Sequence, residues 1–168
     1  GLMLAGVLLL LNAPPTPSQA QDLPRFANAV AIDCNDSQSA IAARGGERVT
    51  IGGTTIYIGY KQVSSNNQNP RLIAFDSGGN RLWCRDDYET TGDDGKGYGL
   101  FWNGSTLYGV FTATGTQGDS SQDFRRFATN GWLRHYTDGS PGGGGGPRVS
   151  IIAAINPQNG DISSATFV

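Results

Sequence analysis

Asp86, Asp87, Glu89, Asp93 and Asp94 crowd five carboxylates into one short stretch, the densest run of side chains in the chain that suit a metal or acid–base chemistry. Calcium favours such oxygen-rich loops in extracellular proteins, but the twelve-residue spacing of an EF-hand loop is missing. Glycoside hydrolysis needs two carboxyls held at a set separation, which neighbouring Asp residues do not provide. The plain reading is a solvated acidic loop. No cofactor is assigned, and calcium is the one ion its oxygens would suit. His135 is the single histidine, and acid–base catalysis by a lone histidine requires a positioned partner that the sequence does not supply. There is no Gly-x-Ser-x-Gly elbow, no His-Glu-x-x-His and no phosphate-cradling loop, since no Lys follows the run Gly142 to Gly146. No catalytic residue is therefore assigned.

Cys34 and Cys84 are the two cysteines. In an exported protein such a pair points to a disulfide, with two buried thiols as the alternative. The bridge would stabilise by roughly 4 kcal/mol through loop closure. Without a Cys-x-x-Cys or a Cys/His cluster, a thiolate metal site has no support. Trp83, Trp102 and Trp132, with Tyr57, Tyr60, Tyr98 and Tyr108, suit either packing between sheets or a stacking platform for sugars. Trp102 is the candidate for ligand stacking because it abuts the turn dipeptide Asn103-Gly104.

The elements that must position these residues follow from patterning. Twelve basic and fourteen acidic residues leave a net charge of −2, too little field to attract nucleic acid or an anionic membrane. Twenty-five glycines, together with β-branched and aromatic residues, indicate strands and tight turns. Residues 1–20 read as a signal peptide without its basic leader: Leu2 to Leu11 is apolar, prolines follow, and Ser18-Gln19-Ala20 offers small residues for cleavage after Ala20. The apolar run falls short of the roughly 20 residues a spanning helix needs, so no membrane span is expected after cleavage. Residues 21–46 have no firm pattern, although Phe26 to Cys34 suits a strand, with a short helix as the alternative its alanines permit, and Ser37 to Ala43 suits a helical turn or two.

Residues 47–168 read as a β-repeat domain. Strands are expected at 48–52, 55–62, 71–76 and 80–85, and a second set at 98–102, 106–113, 123–128 and 131–136. The first hairpins of the two sets align without a gap at an offset of about 51 residues, placing Gly53 on Gly104, Ile56 on Leu107 and Tyr57 on Tyr108. Repeated four-stranded units of this kind suit a β-propeller, with a β-sandwich as the alternative.

Leu72-Ile73-Ala74-Phe75-Asp76-Ser77-Gly78-Gly79-Asn80-Arg81-Leu82-Trp83 resembles the repeat of bacterial β-propellers of the PQQ-like quinoprotein type, and Ile152 to Ile162 looks like a third, looser copy with Asn156 in place of the Asp. The resemblance is to a structural motif and covers about a third of the chain. Arg134 stands where Trp83 would recur, and no position matches the family's quinone ligands. It implies about two blades plus part of a third in a chain truncated at its C-terminus. The function expected is a secreted binding or structural module of the envelope or extracellular space, with a glycan or protein partner. The alternative is an exported enzyme, a carbohydrate-active hydrolase or quinoprotein, whose active residues lie outside this stretch.

Overall fold

The computed structural model describes residues 28–92, 94–113, 119–134 and 149–168. The expected signal peptide, Asp93, His135 and the glycine run 142–146 fall outside them. Among the described residues eight strands form two antiparallel four-stranded sheets, each a simple up-and-down meander. The first sheet has the order β1 (Glu47–Ile51), β2 (Thr54–Ser64), β3 (Asn67–Phe75), β4 (Arg81–Arg85). The second runs β5 (Gly95–Trp102), β6 (Leu107–Ala113), β7 (Val149–Ile155), β8 (Ile162–Phe167). A short helix, α1 (Gln38–Ala43), precedes them, its N-cap Ser37 accepting from the Ala40 amide. The fold is thus all-β, as the composition indicated.

The first unit matches its expected strands closely. Gly52 and Gly53, at φ +55° and +87°, supply the left-handed pair that a two-residue β1–β2 turn demands. The second unit matches only in its first hairpin, β5 and β6. Residues 124–127 form a 3-10 turn rather than a strand, Gly131 to Leu133 is irregular, and the expected strand's last two residues lie outside the described set. The reason is local. Asp119 and Asp123 turn their carboxylates back onto the Ser121 and Arg125 amides, offering the backbone a cap in place of a sheet ladder. Phe124 and Phe127 are spaced by three, the period of a 3-10 turn. The sheet is completed instead by β7 and β8, so the stretch Ile152 to Ile162 is the second unit's own closing hairpin and not part of a third.

One side chain set fills the space between the sheets: Ile56, Ile58, Leu72 and Ala74 from the first meet Leu107, Phe111, Ile151, Ala153 and Ile155 from the second. Gly97 permits the approach, because a Cβ there would lie 2.2 Å from Ile58 Cγ1. A smaller cluster joins Tyr57, Ile73 and Phe75, on the other face of the first sheet, to Ile32 and Ile41. The N-terminal segment is therefore a lid on that face. Residues 26 and 27 of the expected strand lie outside the described set, and from Asn28 to Cys34 the segment makes in its place an isolated parallel bridge, Ala31 to Tyr60, held by Ile32 N donating to Tyr60 O at 2.8 Å and Tyr60 N donating to Val30 O at 3.0 Å.

Candidate functional site

Cys34 and Cys84 form a disulfide with Cα atoms 5.8 Å apart, tying the lid to β4. Two arginines reinforce it. Buried Arg71 donates to the Ile32 carbonyl at 2.7 Å and pairs with Asp86 at 2.5 Å, and Arg81 donates to the Cys34 carbonyl. Lys61 joins Asp86 from the other side at 2.9 Å.

These pairings account for much of the acidic stretch. Burial alone would raise the Asp86 pKa, but the hydrogen bonds and charges of Lys61 and Arg71 outweigh it and hold the carboxyl below the usual range. Asp87 is held low by Arg85 above all, whose guanidinium also reaches Asp161 at 2.6 Å in the β7–β8 turn. Glu89 is buried and accepts from the Thr91 amide at 2.7 Å. Among the described residues no three His, Cys, Asp or Glu side chains gather as a metal site. The stretch works as a fastener: Tyr88 beside it donates to Gly160 O at 2.8 Å, joining the exit of β4 to the far turn of the second sheet. Burial drives the Tyr88 phenol pKa well above its ordinary value.

Trp102 ends β5 and is half-buried against the core shared by the sheets. The adjoining turn is closed by Asn103, whose Oδ1 accepts from the Ser105 and Thr106 amides at 2.9 and 2.8 Å. Its neighbour Phe101 is the more accessible ring, 63% exposed, and Trp132 is 85% exposed.

The pairing explains why Phe101 points outward. Ile56 lies opposite Ala74 in the first sheet, while Tyr108 lies opposite Ala154 in the second. Asp76 and Asn156 hold the same place in the turns that follow, each donating its amide across the turn, to Asn80 O and Asp161 O, and accepting from the amide two residues on, Gly78 or Gln158. Ala74 therefore corresponds to Ala154, Leu72 to Ile152 and Ile56 to Tyr108. The ungapped alignment that set Ile56 on Leu107 is off by one: Val49 faces Ile56 and Phe101 faces Tyr108, so the two hairpins superpose with Gly104-Ser105 on Gly52-Gly53, and a one-residue slip exchanges the faces.

With the register corrected, corresponding faces do not meet each other. Leu72 and Ala74 look into the core between the sheets, and their counterparts Ile152 and Ala154 look out of it. The two sheets stack in the same sense, like successive pages. The outward face of the second sheet carries Gly99, Phe101, Tyr108, Val110, Ile152, Ala154 and Thr166, with Val110 42% and Ile152 40% exposed. Leu133, itself exposed, adjoins this face by donating its amide to Thr166 Oγ1 at 3.1 Å.

Compared with known proteins, the chain matches no family model, no curated protein and no solved structure. The site must be read from its own chemistry. It offers an apolar, nearly uncharged surface and no assembled catalytic group among the described residues. The sequence reading missed the face because its alignment placed Tyr108 with Tyr57. The detectable signal was Asn103 as an Asx turn residue, which sets it against Thr106.

Proposed function

We propose that this chain is an exported, β-propeller-like binding or structural module of the cell envelope or extracellular space, one that holds a partner rather than converting a substrate. The observation that carries this is the same-sense stacking of two four-stranded meanders, the relation that successive blades bear to one another. A sandwich of two facing copies would bring corresponding faces together. The Cys34–Cys84 bond supports an oxidising compartment, and among the described residues no helix is long and apolar enough to cross a membrane. The paired state of the acidic stretch favours fastening over catalysis.

The test expresses the chain through a secretory pathway and assays the mature product. Mass spectrometry is expected to find an N-terminus at Gln21 and an intact Cys34–Cys84 bond. A glycan array with a calcium titration then asks for binding and turnover together. Binding without turnover fits the reading; hydrolysis or oxidation of any glycan overturns it.

A further inference from the structure

We infer that the outward face of the second sheet is a docking face for another four-stranded antiparallel sheet of the same build, which lies on it through the face that bears Tyr57, Ile73 and Phe75 in the first sheet. This rests on the propeller-like reading and names the partner that reading leaves open. The molecule itself shows what such a face accepts. In the first sheet the face with Ile58, Leu72 and Ala74 is covered by the opposite face of a following sheet. In the second sheet the corresponding Val110, Ile152 and Ala154 have the same apolar character and, among the described residues, no such cover.

Shape and charge agree with that occupant. Ser164 lies opposite Ala154, where Trp83 lies opposite Ala74, and a Cβ on Gly99 would meet nothing within 4 Å. Room therefore remains for large side chains such as Tyr57 and Phe75. The outward positions of β6, β7 and β8 carry no charged side chain, and the Lys96 ammonium at the margin sits 4.5 Å from the Tyr60 ring centroid. A whole second copy of the chain cannot supply the complementary face, because its own N-terminal lid and disulfide already cover it. The occupant is a sheet whose corresponding face is uncapped.

Thiol protection reads this directly. Ala74→Cys and Ala154→Cys place the same small change at corresponding positions, and each is made in the full chain and in a tandem chain. In the tandem, residues 47–168 are repeated after Val168 with the appended Cys84 changed to Ser, so that its first sheet has no lid. In the single chain the thiol at 154 is expected to react with a maleimide about a hundredfold faster than that at 74, which is reached only through opening of the stack. In the tandem chain the thiol at 154 is expected to slow at least tenfold. Unchanged reactivity at 154 in the tandem, whether or not the appended part folds, overturns the inference. Protection at 154 in the single chain that grows with protein concentration also overturns it, since two copies would then be covering the face against each other. A fast thiol at 74 in the single chain is a different failure: the stack itself would be absent, and the propeller-like reading would fall first.

Discussion

The first sheet and the second are built alike and end up in different surroundings. Both run as four-stranded meanders, and both close their last hairpin with an Asx residue that gathers the turn's amides. The first is packed on both faces, by the second sheet on one side and by the disulfide-tied lid on the other. Among the described residues the second is packed on one face only. Covering on both faces explains why β2 and β3 are buried without a break over Thr55 to Gly59 and Asn69 to Phe75, with Ile56 to Ile58 and Leu72 to Phe75 wholly apolar. In β6 and β7 burial alternates residue by residue. Yet the exposed positions of the second sheet keep Phe101, Val110 and Ile152, which one-sided burial does not require.

Corresponding substitutions probe the difference most sharply. Leu72→Ala removes a side chain with no exposed surface and is expected to cost about 3–5 kcal/mol, whereas Ile152→Ala should cost under about 1.5 kcal/mol; chemical denaturation measures both. Equal costs would break the claim that these positions face different surroundings. Next in size, changing Cys34 and Cys84 together to Ser is expected to cost roughly 2–4 kcal/mol. Hydrogen exchange should rise in α1 and the lid-facing residues of β2 and β3, and an equal rise in β6 and β7 would mean that the bond stabilises both sheets alike.

Two neighbouring glycines sharpen the contrast further. Gly97→Ala would drive a methyl into Ile58 and lower stability by about 1–3 kcal/mol, while Gly99→Ala, two residues along the same strand, has open space before it and should change little. The smallest effect concerns acid. Asp87 is held below the ordinary carboxylate range by Arg85, so its contribution is complete above the unfolded pKa near 4 and is lost as pH falls through the lower folded-state value. The melting temperature should therefore drop on acidification below about pH 4, and Asp87→Asn should flatten that limb. A variant as acid-sensitive as the parent would remove Asp87 from the fastener between the sheets.

Much of this was legible in advance where local chemistry and global fold agree. Gly52-Gly53 and Asp76 to Asn80 are turns with a backbone reason, and the strands beside them are rich in β-branched and aromatic residues. The lid's helical turn was signalled by Ser37. Three things were not legible. Phe124-Arg125-Arg126-Phe127 carries rings that a strand would accept, and only the preceding Asp side chains decide for a turn. Residues 114–148 separate β6 from its partner β7 in the sequence, so the second sheet's closing hairpin looked like the start of another unit. The outward face was hidden by an alignment one residue out of register, a slip too small to disturb the sequence similarity and large enough to turn β6 over.

The Cys34–Cys84 bond spans the exposed tip of the β2–β3 hairpin, where Ser65 and Asn66 lie open to solvent. A protease cutting at that tip would leave two polypeptides that still migrate as one until a reductant is added. In a compartment rich in secreted proteases, the molecule could be nicked there and keep its N-terminal lid in place.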